Sequence, residues 1–477
     1  MNTDRRVNGL HLVRLLGDWR SGAVPTAYAG LASRLRLLIL DGRVPLHTRV
    51  PAERELADAL GVSRTTVAAA YERLREDGFL HSRRGAGTWT DLPSTGVSAA
   101  GPVATLVDDD DLIDLAHAAP PAPAEWLHAA AECAITQLTR YLPTHGYDPL
   151  GLSALRSAVA DRYTARGATT TPDQVLVTAG AQHAFALTLR ALASPGDRIV
   201  VEHPTYPNAL EAVRRAGCRP VPVPFGPDGW DLEMLAATIR HTAPRLAYLV
   251  PDFQNPTGFC MSAEDRASLV ALAARTGTTL VIDETVAELW LDRPTPPPVS
   301  SELVVTTGSA SKMFWGGLRV GWLRASPTMV RRLGAARASM DLASPILEQL
   351  IATDLVPRTV EIAEDRREWL RSSRARMHER LALRLPSWKP NAPTGGLGFW
   401  VDLGAPIASA LAISAERHGV ALAAGPRFGL DGAFERFVRL PYTLDAEALD
   451  LAVDRLAAAY LALGGEVLDD LPLRGVT

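Results

Sequence analysis

The sequence predicts an α/β main body with a mostly parallel sheet, preceded by a small helical domain that ends in a β-hairpin. Three observations carry this. From about residue 114, apolar β-rich runs ("QVLVTAG", "RIVVEHP", "CRPVPVPF", "RLAYLVPDF", "TTLVIDE", "ELVVTTGSAS") alternate with helical stretches such as "QHAFALTLRALASPG" and "SAEDRASLVALAARTG". Residues 27–90 instead hold short helical patterns, each stopped by a glycine. Between the two lies "DLPSTGVSAAGPVATLVDDDDLI", rich in Pro, Gly, Ser and Ala and closing on a run of aspartates. The expected organisation is a front domain with its leader over 1–90, a flexible tether over 91–113 and the body over 114–477. A coil of the tether's length spans roughly 25 Å root-mean-square, so the front domain can move relative to the body. The aspartates read as a solvated stretch rather than a metal site.

Composition sets outer limits. Of the 477 residues, 47% are apolar and 21% charged, the balance of an ordinary globular chain with room for more than one core. Cys133, Cys218 and Cys260 are odd in number and far apart. They show neither metal-ligand spacing nor a disulfide framework, so a reducing, cytoplasmic setting and no metal centre are expected. No apolar run reads as a signal peptide or a membrane span. The net charge of −4 is unevenly spread: residues 1–90 carry 14 arginines against nine carboxylates, a net +5, leaving −9 for the rest. A basic front on an acidic body suits an anionic partner for the front, although a solvated surface can also carry an arginine excess.

Within the front domain, "AYAGLASRLRLLILDG" has helical apolar spacing and stops at Gly42. "PAERELADALG" puts Leu56, Ala59 and Leu60 on one face and ends at Gly61. Ser63 can cap "RTTVAAAYERLREDG", which ends at Gly78. "FLHSRRGAGTWT" sets β-formers on either side of a glycine-rich tip, a two-stranded hairpin. Two short helices joined through "GVS" and followed by a hairpin outline a winged helix-turn-helix; a small bundle with a basic rim is the plainer alternative. In the winged form the second helix enters the major groove of double-stranded DNA. It presents Ser63, Arg64, Thr65 and Thr66 to bases and phosphates, with Arg83 and Arg84 at the wing tip. The stretch "RVPAERELADALGVSRTTVAAAYERLREDGFLHSRRGAGTWT" resembles the DNA-binding domain of GntR-type bacterial regulators along its whole length. The resemblance implies that Arg54, Arg64, Thr65, Thr66 and Gly85 lie at the DNA surface. It departs at Ala52, where the family usually carries a serine cap, a small loss of stability.

In the body one residue stands out by rarity. Of 49 lysines and arginines, only Lys312 and Lys389 are lysine. Lys312 lies in "SASKMFWGGLRVGW", just past an apolar run. A lysine amine forms a Schiff base with an aldehyde, which a guanidinium cannot, and pyridoxal 5'-phosphate is the aldehyde cofactor held in this way. The remaining parts of such a site fall just after apolar runs, and α/β sheets bind ligands at the carboxyl ends of their strands. "TAGAQHAF" follows a strand and opens a helix, so Gly180, Ala181 and Gln182 can offer amides to the phosphate, with Ser309 and Arg319 completing the cup. Asp283 in "LVIDE" can keep the ring nitrogen protonated. Asn255 in "NPTG" can donate to the ring oxygen, and Tyr206 in "HPTYPN" can cover the ring face. Singly, each has an ordinary role as a turn, helix cap or packed aromatic. Together, in this order, they resemble the fold-type I aminotransferases over roughly residues 114–465. "THGYDPLGLSALRSAVADRY" is similar to that family's early substrate-side loop and helix. The resemblance implies a fold-type I, PLP-dependent aminotransferase-like body with Lys312 as its catalytic lysine. It also makes Arg439 in "ERFVRLPYT" a clamp for a substrate α-carboxylate.

A GntR-type front tethered to an aminotransferase-like body resembles the MocR-type bacterial regulators over nearly the whole chain. The leader "LVRLLGDWRSG" and the segment "DETVAELWLD" are similar to an actinobacterial-style branch often called YczR-like. This implies a cytoplasmic transcription regulator whose body senses pyridoxal phosphate or an amino-acid effector. It also implies a head-to-tail homodimer that presents two recognition helices to spaced half-sites of an operator. The alternative is an active aminotransferase that carries a DNA-binding domain; turnover separates the two. One departure bears on this choice. Many relatives place a tyrosine two residues after the strand aspartate, where this chain has Thr285. Threonine is too short for the same contact, so weaker tuning of the cofactor and poor transamination are expected.

Overall fold

The computed structural model describes residues 6–17, 19, 26–40, 44, 48–83, 87–91, 111–226, 229–430 and 432–465. Most of the expected tether, and the wing-tip residues Arg84 and Gly85, lie outside the described residues.

The front domain forms as its capping residues dictate. Helix Glu53–Leu60 starts after Ala52, which offers no side-chain cap, but Glu53 and Glu55 place negative charge on its first turn. It ends on Gly61 in the left-handed region. Leu56 is fully buried, while Ala59 and Leu60 are only partly covered. Ser63 caps helix Arg64–Glu76 by accepting from the Thr66 amide at 3.1 Å. Val67, Ala70, Tyr71 and Leu74 bury its inner face against helix Ala27–Leu40. Strands Leu80–Arg83 and Gly87–Thr90 pair antiparallel as the expected hairpin. The leader does more than its sequence announced. Asn8 caps a helix, Gly9–Leu16, whose Leu12 and Leu16 are fully buried in this core. Glu55 accepts from the Gly9 amide at 3.0 Å and pairs with Arg6 at 2.8 Å.

The body is built on an eight-stranded sheet. Its order is Val175–Thr178, Gly321–Arg324, Val304–Ser309, Thr279–Asp283, Leu246–Leu249, Arg198–His203, Arg219–Gly226, Gly229–Trp230. The central strands run parallel, and Gly321–Arg324 and Gly229–Trp230 run antiparallel to their neighbours. All six apolar runs read as strands are in it. Strands Val175–Thr178, Leu246–Leu249 and Val304–Ser309 are buried throughout, as helices on both faces require, whereas in Arg219–Gly226 only Val223 is buried. A second, five-stranded sheet was not foreseen: Lys389–Pro390, Gly398–Asp402, Phe437–Pro441, Val420–Ala424 and Ile113–Leu115. Lys389–Pro390 and Ile113–Leu115 are too short for alternation to show, and Val420–Ala424 is mostly alanine, a weak strand former. Ile113, assigned to the tether by sequence, is therefore the first residue of a strand. It pairs parallel with Val420–Ala424 and donates its amide to Gly419 at 2.9 Å. Among the described residues no helix is long and apolar enough to cross a membrane.

Candidate active site and nucleic-acid interface

A cavity of about 450 Å³, well within the range of small-molecule sites, opens where the carboxyl ends of the large sheet face the small one. The structure gathers into its wall every body residue singled out from the sequence: Gly180, Ala181, Gln182, Tyr206, Asn255, Asp283, Ser309, Lys312, Arg319 and Arg439.

The cup intended for the phosphate is the start of helix Ala181–Leu192, whose first amides have no intrahelical acceptor. Gly180 precedes it at φ 100, and a Cβ there would sit 3.1 Å from the Arg319 guanidinium. Gly321 allows the neighbouring strand equally close, since its Cβ would fall 2.5 Å from Gly180 Cα. Arg319 Nη2 donates to the Ala179 carbonyl at 2.8 Å, which anchors the guanidinium at the helix start. Ser309 Oγ is hydrogen-bonded to Ser311 Oγ at 2.9 Å. Amides, hydroxyls and a guanidinium converging on one helix N-terminus fit a phosphate.

Asp283 ends its strand with both oxygens held. Tyr248 Oη donates to Oδ2 at 2.7 Å, and the Thr285 amide and hydroxyl donate to Oδ1 at 2.9 and 2.6 Å. Thr285 thus works on the aspartate rather than toward a ring oxygen. Tyr206 is oriented by Asn208 Nδ2, which donates to its hydroxyl at 2.9 Å, while Gln182 Nε2 donates to the Asn208 carbonyl at 3.0 Å. Asn255 reaches the wall from the turn after the Leu246–Leu249 strand.

Lys312 Nζ donates to the Ala118 carbonyl at 2.7 Å, and Arg439 Nη2 donates to the Ala116 carbonyl. Burial, then the nearby Arg439 guanidinium, pull the Lys312 ammonium down to about 8, against the opposite pull of Asp283. A neutral amine is the form that attacks an aldehyde. The rate at which the cofactor-free protein gains a visible absorption band from added pyridoxal phosphate should therefore rise about tenfold per pH unit below 8 and level off above it. A flat profile would show that this amine does not limit capture. Arg439 lies over the Phe428 ring at 5.4 Å, and its buried Nε has no hydrogen-bond partner among the described residues. Burial, followed by the neighbouring Arg427, holds its guanidinium down to about 10. A buried guanidinium with an unsatisfied N–H is built to receive an acceptor such as a carboxylate.

Sequence reasoning missed four features of this wall. Tyr248 left one signal, a lone hydroxyl in an otherwise apolar run, and Ser311 lay inside the quoted lysine stretch. Arg427 was hidden by the abundance of arginine. The segment Ala116–Ala119, three alanines and His117 before prolines, contributes backbone carbonyls that no sequence pattern announces.

In the front domain, Arg54 and Arg64 are exposed, the Arg64 side chain 71% so, with Glu53 3.4 Å away. Ser63 Oγ lies 2.7 Å from Thr65 Oγ1 and 2.8 Å from Thr66 Oγ1, so the three hydroxyls cluster at the tip of the second helix. Arg83 closes the first hairpin strand.

Residues 110–456 match the model of aminotransferase class I and II. The chain belongs to that family. This aminotransferase body is joined to a second matched unit, since residues 27–89 match the gntR family of bacterial regulatory proteins. The combination recurs in relatives. An uncharacterized HTH-type transcriptional regulator, YdcR, from Escherichia coli is 28% identical over 443 residues, covering 86% of this chain and 94% of its own. The probable rhizopine catabolism regulatory protein MocR of Rhizobium meliloti is 31% identical over 325 residues, 63% of this chain and 65% of its own. Among solved structures, LysN, an alpha-aminoadipate aminotransferase from Thermus thermophilus complexed with N-(5'-phosphopyridoxyl)-L-leucine, superposes with a TM-score of 0.69 at 30% identity. It covers 74% of this chain and 93% of its own. The protein is a GntR-type regulator fused to an aminotransferase body, and pyridoxal phosphate is the cofactor of that family.

Proposed function

We propose that this regulator senses an amino acid, or the cofactor itself, in the body cavity and passes occupancy to its DNA-binding domain through the segment Ala116–Ala119. The observation that carries this is the pair of hydrogen bonds from Lys312 to the Ala118 carbonyl and from Arg439 to the Ala116 carbonyl. The two side chains best suited to hold cofactor and carboxylate both rest on one short stretch. That stretch directly follows strand Ile113–Leu115, where the chain enters the body from the front domain.

Bound in the cavity, pyridoxal phosphate supplies an aldehyde that joins to amines and a ring that draws electrons from the attached carbon. The chain does the rest. The start of helix Ala181–Leu192, Ser309 and Arg319 hold the phosphate. Asp283, fixed by Tyr248 and Thr285, holds a proton at the ring nitrogen. Tyr206 and Asn255 place the ring, and Lys312 supplies the amine. A ligand carboxylate on Arg439 would compete with the Ala116 carbonyl, and Lys312 Nζ, in holding the cofactor, would give up the Ala118 carbonyl. Both events release the segment next to the tether, so a ligand shifts the population of tether positions. Arg54, Ser63, Arg64, Thr65 and Thr66 face the operator. The body fold is one that usually dimerises. We assign a head-to-tail homodimer, with the exposed Ile135, Leu142, Tyr147 and Leu342 as the apolar surface it would cover.

The test titrates the PLP-loaded protein with each common L-amino acid, following its visible spectrum and its affinity for operator DNA together. The amino acid that shifts the spectrum should change DNA affinity by about tenfold or move the footprint. Arg439→Ala should keep DNA binding and lose the response. A spectral shift that leaves both affinity and footprint unchanged would sink the coupling. Repeated cycling between amino acid and keto acid would instead establish an active aminotransferase, a reading that the complete set of Lys312, Asp283 and Arg439 also supports.

A further inference from the structure

One cationic group at the cavity is left without a role by a cofactor and a simple amino acid. Lys312, Arg319, Arg439 and Arg427 all line it, and among its wall residues Asp283 alone brings an opposing charge. In the proposed reading, Arg319 answers the phosphate, Arg439 the α-carboxylate, and Asp283 the ring nitrogen. Arg427 is left over.

Its surroundings make that surplus specific. Arg427 lies in the turn Gly425–Phe428, directly after strand Val420–Ala424. Phe428, the next residue, is the ring under the Arg439 guanidinium, so the two arginines share one wall. Their like charges disfavour each other: after burial, Arg427 is the largest influence lowering Arg439. The carboxylate whose opposing charge acts on both is Asp114. Asp114 is already committed. Its Oδ1 accepts from the amides of Ala116 at 2.8 Å and His117 at 3.0 Å, and its Oδ2 lies 2.7 Å from His117 Nδ1. Among the described residues Arg427 makes no hydrogen bond or ion pair of its own. A guanidinium at the mouth of a cavity, beside a second one and without a partner, is set to receive an anion.

We infer that Arg427 reads an anionic side chain, so that the effector class is the acidic amino acids: the α-carboxylate goes to Arg439 and the side-chain carboxylate to Arg427. This rests on the reading of the cavity as an amino-acid site and names the class of ligand that it takes.

The experiment compares isosteric pairs on the PLP-loaded full-length protein. L-Glutamate is titrated against L-glutamine, and L-2-aminoadipate against its side-chain amide, with the midpoint of the spectral change as readout in wild type and Arg427→Gln. Wild type should prefer the acidic member of at least one pair by about tenfold or more, the worth of one charge-assisted contact. Arg427→Gln should bring that ratio close to one. A wild type without acidic preference overturns the assignment, as does a variant that keeps the preference. A variant that weakens acidic and neutral members equally also overturns it, because Arg427 would then share the α-carboxylate. If no amino acid, acidic or neutral, moves the spectrum, the amino-acid reading of the cavity fails, and this assignment falls with it.

Discussion

Lys312→Ala should abolish the visible absorption band of the protein loaded with pyridoxal phosphate and erase every spectral response to amino acids. Lys312→Arg should do the same, although it keeps the positive charge, because a guanidinium does not join to an aldehyde. No nearby group can substitute: the only other lysine in the chain, Lys389, lies on the edge strand Lys389–Pro390 and not in the cavity wall. The front domain has its own core, so both variants should still bind operator; in Lys312→Ala, which lacks the hydrogen bond to Ala118, affinity without effector should move toward that of the liganded wild type. The absorption spectrum and a DNA titration on the same preparations decide it. A band that survives in Lys312→Ala would remove the lysine from its assigned role.

Glu284→Ala should destabilise the body by about 3–5 kcal/mol, read as a drop in the denaturation midpoint of the body with the front domain unaffected. Glu284 is buried and pairs at 2.9 Å with Arg166, whose side chain is itself 15% exposed. Close by, Asp252 and Arg266 form a second buried pair at 2.7 Å, and each pair feels the other's charge. Removing one carboxylate leaves an arginine inside without its counter-charge, which costs far more than the loss of a surface pair. Glu284→Gln, which can still accept from Arg166, should lose less. The damage should also reach the cavity. Glu284 follows Asp283 directly, and its amide donates to the Thr307 carbonyl at 2.9 Å, tying the end of that strand to the next. Cofactor affinity should fall with stability. Wild-type stability in Glu284→Ala would show that the pair contributes nothing net.

Much of this molecule is written locally. A serine before a helix, a glycine after one, and a period of two or of about four are decided by backbone hydrogen bonding and by which side chains can share a face. Those signals act within a few residues. For that reason the winged front domain, the six sheet strands and the residues at their carboxyl ends were all legible. Lys312 was legible for another reason: its chemistry has no substitute, and arginine elsewhere made it conspicuous. The two- and three-residue strands of the second sheet were not legible, because they carry too little pattern. Nor was the leader helix, whose Leu12 and Leu16 matter only once the front-domain core is there to receive them.

What the tertiary structure alone decided is which groups meet. Lys312 and the Ala118 carbonyl are 194 residues apart in the chain, and Arg439 and Ala116 are 323 apart. A small alanine carries no sign of its partner, since what it offers is a backbone carbonyl that every residue has. Arg427 is one of 47 arginines by sequence and becomes singular only when the fold sets it beside Arg439 and occupies Asp114 elsewhere. The sequence by itself determined the chemistry available to this protein. The packing of the small sheet against the large one determined that the chemistry, the carboxylate clamp and the entry from the front domain come together in one place, because contacts between distant segments are set by the shape of the whole core.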